Sequence, residues 1–534
     1  MAAIFTSPTG LVLAGMFMIS GDIVEMVGHV FRTKRIFLTS LTKRHQSPIV
    51  QAFIKPGALP WVILTDPFES QDILLRRTKE FDRSSFFGEL IGGLLPEQHI
   101  QFLSTDVRFK NNRNLINHLM APTFIKDVSA LEVYKSIEKL IKVWQAKCER
   151  AKGHPFEAHG DITYAALDAI FASSFGLPEE ESCTIRQFDV VMEFEFTDAI
   201  IPDIFSAILT LANSVTDTEL SPAPQLTSWI LRKMPYMKKA TAIKDQYLRE
   251  KVDEYSNLSH NMGKPHSALH SVLFREQSIA MKDGRQPNYH KRAIADEVFG
   301  FMMAGHDTTA TTVAWGVKLL TDNASAQERL RSDLQRAFPH TLETKRAPTY
   351  AELARVSIPY LDAVVEEVLR HANTIAFVVR QALQDTVVLG RQIPKGTDVF
   401  LMANGAGYLE CNMPLSSFDK RSPGTQPSSN KALTGLWDDA SIASFKPERW
   451  LKFHPNTNIE SFDPMAGPSL AFGLDPRSCF GKKLALQALK MQFGLIVWHF
   501  KLLNCPNALS GYEAVQRFAR EPTQCFVRLE QVAP

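Results

Sequence analysis

Apolar residues recur at helical spacing along most of the chain, whereas strand-like runs are short. The spacing predicts amphipathic helices at Ile137–Trp144 and Asp161–Phe175, and a capped helix over Asp66–Leu75. The longest near-continuous helical pattern extends from Asp296 to Leu320. Short strands are predicted at Trp61–Leu64, Phe377–Val379, Thr386–Leu389 and Val399–Met402. The chain is therefore predicted to be mainly α, with a small β-rich lobe.

Two irregular regions interrupt this pattern. Residues 86–98 contain three glycines and Pro96, which predicts an irregular loop that serves as a lid or as a connector. Residues 412–435 are rich in Ser, Pro, Lys and Asn. Their composition predicts a flexible surface insertion, to which no function is assigned.

The N-terminal segment differs from the remainder in its charge. Residues 1–21 carry no charged side chain, but Asp22 and Glu25 shorten the apolar run below the roughly 20 residues that a membrane-spanning helix needs. No Lys or Arg precedes Arg32, so the basic start of a cleaved signal peptide is missing. Basic residues follow the segment. Residues 1–35 are therefore predicted to anchor the chain in a membrane, with the remainder in the cytosol. A buried or interfacial helix is the alternative.

Composition excludes several classes of protein. With 534 residues and 45% hydrophobic content, the chain can bury a large core. Its formal net charge of +2 gives no signal for a nucleic-acid partner. The six cysteines are widely scattered and form no CxxC pair, which argues against a disulfide framework or a zinc site. This cysteine usage fits a reducing compartment.

One cysteine, Cys479, lies in a turn-prone loop directly before a predicted helix that starts at Lys482. The positive field of a helix N-terminus, together with Arg477, favours the thiolate over the thiol. A thiolate in this position can act as a nucleophile or as a metal ligand. The alternative for a single cysteine is a buried structural residue.

The long predicted helix contains the run Ala304-Gly-His-Asp-Thr308. The Thr308 hydroxyl can bond the helix backbone and distort the helix locally, and Asp307 can relay protons through water. Four threonines lie within the five positions that start at Thr308, although threonine is a poor helix former, which indicates a site rather than a plain helix. A threonine-rich packing face is the alternative. His306 is interpreted as a satisfied or exposed histidine and not as a ligand.

Charged residues occur at fixed spacing in two further places. Glu367 and Arg370 lie three residues apart on one helix face, and the run Pro-Glu-Arg449 follows about 80 residues later. Taken alone, the first pair is an ordinary surface ion pair, because such spacing is common by chance.

These motifs together resemble the cytochrome P450 haem-thiolate monooxygenases. Phe472, Arg477, Cys479 and Gly481 match the haem-ligand signature Phe-x-x-Gly-x-Arg-x-Cys-x-Gly, with Asp475 in place of the first glycine. The other motifs follow in the family's order from Phe109 to the cysteine loop. The resemblance implies the cytochrome P450 fold, a catalytic domain over residues 36–534, and haem b with Cys479 as the axial ligand of the iron.

The resemblance also assigns roles to individual residues. Arg113, Arg380 and Arg477 are expected to bind the haem propionates, although Phe109 replaces the tryptophan that usually accompanies Arg113. Small residues let a flat macrocycle approach the long helix. The remaining expected roles are haem contact for Phe472, Ala304 and Gly305, proton delivery for Thr308 and Asp307, a structural network for Glu367, Arg370 and Arg449, and the substrate cavity for residues 373–379.

The implied reaction is activation of dioxygen and insertion of one oxygen atom into an apolar organic substrate. Because the chain has no dinucleotide fingerprint, electrons are expected from NADPH through a separate flavoprotein reductase. That reductase would dock at Lys482 and Lys483. The N-terminal segment and the insertion resemble those of fungal family members that act in secondary metabolism. This resemblance implies a location at the endoplasmic reticulum membrane, with the catalytic domain facing the cytosol.

Three alternatives to this function remain open from the sequence. One is a haem-thiolate enzyme that catalyses rearrangement or dehydration, or is driven by peroxide. The second is a haem-binding sensor or carrier without turnover. The third is a helical interaction protein without haem. The Asp307–Thr308 pair argues against the first two because neither needs a proton relay, and the ordered set of motifs argues against the third.

Overall fold

The computed structural model describes residues 38–54, 58–193, 197–219, 221, 223–258, 265–416, 420–425, 434–474 and 476–532. The predicted membrane anchor at residues 1–35 and the unusual Asp475 lie outside these residues. Within the described ranges, none of the helices combines the length and the hydropathy that a membrane crossing requires.

Helices make up most of the described chain. The α-helices are α1 Leu38–His45, α2 Pro67–Leu75, α3 Phe86–Ile91, α4 Val107–Ile116, α5 Pro122–Phe124, α6 Ala130–Ala151, α7 His159–Phe175, α8 Cys183–Glu193, α9 Asp203–Glu219, α10 Pro224–Lys233, α11 Pro235–Leu258, α12 Ala268–Lys282, α13 Arg292–Asp322, α14 Ala324–Ala337, α15 Pro339–Glu343, α16 Tyr350–Leu353, α17 Pro359–Ala372 and α18 Lys482–His499. Short 3₁₀ segments lie at His99–Gln101, Asn117–Met120, Glu179–Glu181, Pro447–Trp450 and Asn507–Leu509, and a π-helical turn lies at Ile125–Ser129.

The strands form one five-stranded sheet and several small ones. They are β1 Ile49–Ala52, β2 Trp61–Leu64, β3 Phe81–Asp82, β4 Phe156–Glu157, β5 Phe377–Ala382, β6 Thr386–Val388, β7 Arg391–Ile393, β8 Asp398–Met402, β9 Leu451–His454, β10 Ile459–Phe462, β11 Phe500–Leu503, β12 Ala514–Gln516, β13 Arg520–Pro522 and β14 Phe526–Gln531. The large sheet has the order β1-β2-β8-β5-β3, and only β2 and β8 pair in parallel. A three-stranded sheet has the order β11-β14-β4, and three hairpins complete the β structure.

The 31-residue helix α13 lies at the centre of the helical part, where it packs against α7, α17 and α18. Close approach to α18 depends on Gly316, because a Cβ there would meet the Phe493 ring at 2.2 Å. The core around these helices is one large apolar cluster that also includes residues of β5 and β8. The mainly α fold with a small β-rich lobe is therefore confirmed.

Residues 86–98 differ from the prediction of an irregular loop, because Phe86–Ile91 forms helix α3. The Phe86 ring packs edge-on against Trp61 and Phe400, with ring centroids 5.7 and 5.4 Å apart. Leu90 and Ile91 are also buried. Glycines at positions 88 and 92 disfavour a helix, and burial of this apolar face supplies the stability that offsets them.

One described part of the predicted insertion, residues 420–425, is anchored to helix α2. Arg421 donates two hydrogen bonds to the Asp66 carboxylate, at 2.8 and 2.7 Å, while Asp66 also caps the helix. The Ser422 hydroxyl donates to the fully buried Glu69 at 2.6 Å. This part of the insertion therefore has a defined position on the surface, which the composition did not predict.

Candidate active site

The loop that carries Cys479 closes on itself through its backbone. The Cys479 N–H donates to the Phe472 carbonyl at 2.7 Å, and Gly473 N–H donates to Leu470 at 2.9 Å. Gly473 has a φ of +61°, a conformation that other residues adopt only with strain. Helix α18 begins three residues after the cysteine, so the loop delivers Cys479 to the N-terminus of a helix, as the sequence predicted.

The electrostatics of Cys479 differ in part from the prediction. Burial raises the pKa of the thiol, although the backbone N–H groups of Gly481 and Lys482 and the charge of Lys482 act in the opposite direction. The prediction that Arg477 favours the thiolate is wrong, since the nearby positive charge belongs to Lys482. The protein alone therefore holds a thiol, and binding of a metal cation would supply the charge that stabilises the thiolate.

Cys479 is accessible although protein surrounds it, which places it on the wall of an internal cavity. Ala304 is also accessible, although it lies in the middle of α13 between buried residues. Helix α13 packs against α18, the helix that follows the Cys479 loop. The exposure of Ala304 leaves space next to α13, and its contact with haem stays a prediction.

The α13 segment after Ala304 has the threonine hydrogen bonds that the sequence suggested. The Thr308 hydroxyl donates to the Ala304 carbonyl at 2.8 Å, and the Thr312 hydroxyl donates to the Thr308 carbonyl at 2.7 Å. His306 is buried, with Nδ1 3.2 Å from the Met302 carbonyl, which fits its interpretation as a packed histidine. Burial lowers the pKa of this imidazole, so it is neutral near pH 7.

Gly305 lies where helices α7 and α13 approach each other closely. A Cβ at this position would meet Ile170 Cδ1 of helix α7 at 2.7 Å. The glycine therefore allows α7 and α13 to approach each other closely, on a side of the helix that packs against protein. Helix packing therefore gives a reason for the small residue at position 305, and its contact with haem stays a prediction.

Two of the three predicted propionate-binding arginines, Arg380 and Arg477, are buried and lie close enough to repel each other. Burial and this mutual repulsion lower the pKa of Arg380 to about 10. Arg477 donates to the Phe102 carbonyl at 2.6 Å, and burial lowers its pKa to about 10. A third buried arginine, Arg83, joins them, and the charges of both neighbours lower its pKa further.

Arg83 was not found from the sequence. It follows the two-residue strand β3 in an otherwise ordinary polar run, and no motif marks it. Pairing of β3 with β5, which carries Arg380, brings the two arginines together. Only the sheet register, which the sequence did not reveal, could have located Arg83 at the site.

Arg113 lies beside the cysteine loop, with its guanidinium 5.7 Å from the centroid of the Phe480 ring. The Phe109 ring lies 4.0 Å from the guanidinium of Arg477 and 5.7 Å from that of Arg113. A cation–π contact of this kind can form with phenylalanine as well as with tryptophan. Phe109 can therefore hold Arg477 in place without the hydrogen bond that a tryptophan would add.

The buried arginines provide a test of whether haem fits this site. Within the described residues, Nε of Arg83, Nη2 of Arg380 and both Nε and Nη1 of Arg477 are buried without a hydrogen-bond partner. Unpaired buried donors on three cations call for anions. The two propionates of haem b supply two carboxylates, and the Cys479 sulfur supplies a soft metal ligand. The donor set therefore fits haem.

The predicted structural network is complete. Arg370 donates to both oxygens of Glu367, at 2.9 and 2.8 Å, and Arg449 donates to the same carboxylate at 3.1 Å. Trp450 and the Lys446 backbone N–H add two further hydrogen bonds, at 2.9 and 2.8 Å. Burial opposes ionisation, but the hydrogen bonds and charges of Arg370 and His371 hold the pKa of Glu367 far below its usual range.

A tryptophan connects this network with the cysteine loop. The Trp437 ring lies 5.6 Å from the Arg370 guanidinium and 5.4 Å from that of Arg449. Its indole N–H donates to the Pro468 carbonyl at 3.1 Å, four residues before Phe472. The ion network thus supports the segment that leads into the loop, without touching the predicted haem ligand.

Comparisons with known proteins agree with this geometry. The cytochrome P450 family model matches residues 20–409. The cytochrome P450 monooxygenase TRI13 of Fusarium sporotrichioides is 36% identical, covering 96% of this chain and 93% of its own length. The chain belongs to the cytochrome P450 family. A second relative, cytochrome P450 monooxygenase GME11363 of Pestalotiopsis microspora, is 34% identical over 95% of this P450 and 91% of its own length.

The fold comparison is equally extensive. The heme domain of cytochrome P450DA superimposes with a TM-score of 0.67 at 18% identity, covering 93% of this P450 and 92% of that chain. Identity at this level shows the fold alone. The prediction of a fungal cytochrome P450 is confirmed by the fungal relatives, and the enzyme is a haem-dependent monooxygenase. Its relatives also support a role in secondary metabolism.

The residues of this P450 divide the chemical work between them. Haem with a thiolate ligand supplies the activation of dioxygen. Cys479 would hold the iron, and Arg83, Arg380 and Arg477 would pair with the propionates. On α13, Ala304 is accessible and the Thr308 hydroxyl can pass a proton. In the region predicted to line the substrate cavity, Ala376 contributes to a cavity of about 120 Å³.

Proposed function

We propose that this monooxygenase inserts one oxygen atom into a C–H or C=C bond of an apolar small molecule, using electrons that a separate flavoprotein reductase takes from NADPH. The accessible position of Ala304 next to Thr308 carries the proposal. An apolar side chain on the substrate wall favours an apolar substrate, because a polar one would lose its hydrogen bonds with water there. The named fungal relatives are monooxygenases, which supports the same reaction.

Isotope labelling tests this reaction. The full chain would be produced in a host together with an NADPH-dependent flavoprotein reductase and supplied with extracts of apolar metabolites under ¹⁸O₂. A product that is heavier than its precursor by one ¹⁸O atom, formed only when NADPH and the reductase are present, is the expected result. Product formation without added oxygen, or an isomer of unchanged mass, would support a rearranging enzyme and contradict the proposal.

Lys482 and Lys483 support docking of a reductase near Cys479. Both side chains are exposed at the start of α18, three and four residues after the cysteine. An acidic reductase surface would be attracted to them, and electrons would then enter on the Cys479 side. The double variant K482E/K483E should slow reduction at low salt. The double variant K238E/K239E, which changes the charge equally on α11, is the control.

We also propose that the enzyme acts at the endoplasmic reticulum membrane, with its catalytic domain in the cytosol. The N-terminal segment, whose first 21 residues carry no charged side chain, supports this location, and a surface on α10 is proposed as a second contact. Leu226, Trp229 and Ile230 are exposed there, with Lys233 over the Trp229 ring. An exposed apolar face bordered by basic residues suits an anionic lipid surface. Flotation of the full chain, of residues 36–534 and of the W229E variant with lipid vesicles would measure how much the N-terminal segment and the α10 surface each contribute to membrane binding.

A further inference from the structure

A second polar cluster lies behind Asp307, where three elements meet. The first residue of α7, His159, approaches the β12–β13 hairpin, and its Nε2 lies 3.7 Å from Oε2 of Glu521. The same Glu521 oxygen is 3.3 Å from Nε of Arg517. In turn, the hairpin packs against α13, and the Ala519 backbone N–H is directed at the Asp307 carboxylate. The cluster therefore links Asp307 with residues far away in the sequence.

The hydrogen bonds of this cluster are incomplete. Among the described residues, no partner is present for Nδ1 of His159, for Oδ2 of Asp307 or for Nε2 of His306, although all three atoms are buried. A purely structural network pairs its buried polar atoms, since an unpaired one is destabilising. Imidazole and carboxyl groups can each donate or accept a proton. When their atoms are buried in a polar region without a hydrogen-bond partner, they are suited to exchange protons through intervening water.

Exposure decreases along the cluster from the surface toward Asp307. The Arg517 side chain is 55% exposed, that of His159 is 29% exposed and that of Glu521 is 8% exposed. Asp307 lies further inside and is enclosed by protein. Thr308 follows Asp307 directly on α13. The groups thus lie in an order that leads from solvent to the reaction site.

We propose that Glu521 and His159 form the outer half of a proton route whose inner half is Asp307 and Thr308. The inference rests on the monooxygenase activity, which consumes protons as it reduces dioxygen. One proton passes from Nε2 of His159, the more exposed of the two side chains, to the Glu521 carboxylate, and the Glu521 carboxyl group passes one to Asp307. Asp307 then transfers a proton toward the Thr308 hydroxyl, and His159 takes a replacement from solvent. Each transfer moves a single proton and no electron.

Burial and neighbouring charges shift the pKa values of Glu521, His159 and Asp307. Burial and the charge of Asp307 raise the pKa of Glu521 to about 7. Burial lowers the pKa of His159, whereas the charge of Asp307 raises it and that of Arg517 lowers it. Burial raises the pKa of Asp307. Proton transfer is fastest between groups of similar pKa near the working pH. The other titratable groups packed around the route are His306 on α13, Glu157 in β4, Asp198 in the loop before α9 and Lys147 on α6.

The test uses the haem-loaded full chain with an NADPH-dependent flavoprotein reductase and without substrate. Under these conditions, the fraction of oxygen released as hydrogen peroxide rather than water reports on proton delivery. The isosteric Glu521→Gln and the His159→Phe variants should raise that fraction several-fold. Glu521→Asp keeps the carboxyl group and should remain close to wild type. The control is Glu513→Gln, which removes one exposed charge from the same part of the chain.

The pH profile separates proton delivery from a structural role. In the wild type, the peroxide fraction should rise as the pH increases through about 7, because Glu521 then loses its proton. In Glu521→Gln, the fraction should be high and nearly independent of pH over the same range. A loss of packing would raise the fraction without removing its pH dependence, and equal profiles in both proteins would overturn the proposal.

A measurement without turnover completes the test. In ¹³C-histidine-labelled protein, the His159 ring signal is identified by its absence in His159→Phe. Its titration should move to lower pH in Glu521→Gln and should not move in Glu513→Gln, and an unchanged titration in Glu521→Gln would contradict the route. If the wild type itself oxidised no NADPH with the reductase, the proposed electron source would be wrong, while the His159 titration would still decide the proton route.

Discussion

Arg370 binds both carboxylate oxygens of Glu367 in a buried, bidentate pair, with N···O distances of 2.9 and 2.8 Å. Both side chains are nearly inaccessible, at 1% and 0% exposure. Arg449 and Trp450 complete the hydrogen bonds of the same carboxylate. Because Glu367 is the only acid in this set, its single negative charge is shared by two buried guanidinium groups.

Glu367→Gln should therefore leave two buried cations without their counter-ion. Breaking such a pair costs about 3–5 kcal/mol. We expect a loss of this size in the free energy of unfolding, measured by urea denaturation, together with weaker retention of haem. The depressed pKa of Glu367 stabilises the fold above the pKa that the group has when unfolded, so acidification of the wild type should reduce the difference from the variant.

The neighbouring Glu366→Gln variant provides a matched control. Burial raises the pKa of Glu366 to about 7, which means that the fold favours its neutral form. A raised pKa destabilises the folded state as the pH increases from the unfolded value toward 7. The glutamine should consequently be neutral or slightly stabilising at pH 8. Equal losses in the two variants would show that the Glu367 network does not depend on its charge.

The local pattern of the sequence located the elements that this network joins, but not the contacts among them. Helix α13 and the strand β5 follow from apolar spacing, because each buries one continuous set of side chains. The network joins Glu367 with Arg449, which lies 82 residues further along the chain. Only the order of the motifs in a known family connected the two, since spacing within one helix says nothing about a distant partner.

The parts of the site that the sequence did not reveal all depend on packing between distant segments. Gly305 is small because Ile170 of α7 approaches it, and Arg83 belongs to the site because β3 pairs with β5. In the same way, the Cys479 pKa is set by burial, which no local charge pattern predicts. The role of Asp475 in the cysteine loop stays a prediction.

Cys479→Ala should abolish the thiolate-type absorption of the reduced, carbon-monoxide-bound enzyme. Removal of the sulfur leaves the loop backbone intact, because its closing hydrogen bond comes from the Cys479 N–H. The arginine pairs with the propionates also remain, so some haem should still bind. The measurement is the reduced carbon monoxide difference spectrum, with Cys505→Ala as the control. A wild-type spectrum in Cys479→Ala would refute the ligand assignment.

Thr308→Ala should uncouple NADPH oxidation from product formation and increase release of hydrogen peroxide. The hydroxyl is the group on α13 that can pass a proton into the cavity, and its loss removes a bond to the Ala304 carbonyl as well. The control is Thr321→Ala, which removes an equivalent bond, to the Val317 carbonyl at 2.7 Å, near the C-terminal end of α13. Only the first variant should change the ratio of peroxide to product.

Arg83→Leu should have opposite effects on the protein without haem and on the loaded enzyme. Without haem, the substitution removes one of three buried guanidinium groups that repel each other, so the free energy of unfolding should rise or stay unchanged. In the loaded enzyme it removes a charge-assisted hydrogen bond to a propionate, worth about 1.5–3 kcal/mol.

This loss corresponds to haem transfer to an excess of apomyoglobin that is roughly 10- to 100-fold faster than in the wild type. Arg108→Leu, which removes an exposed arginine on α4, should leave the transfer rate unchanged. If Arg83→Leu released haem at the wild-type rate, Arg83 would not contact a propionate. Its burial beside Arg380 and Arg477 would then require another anion. Unfolding measured at increasing phosphate concentration would reveal such an anion site, because phosphate would stabilise the wild type and not Arg83→Leu.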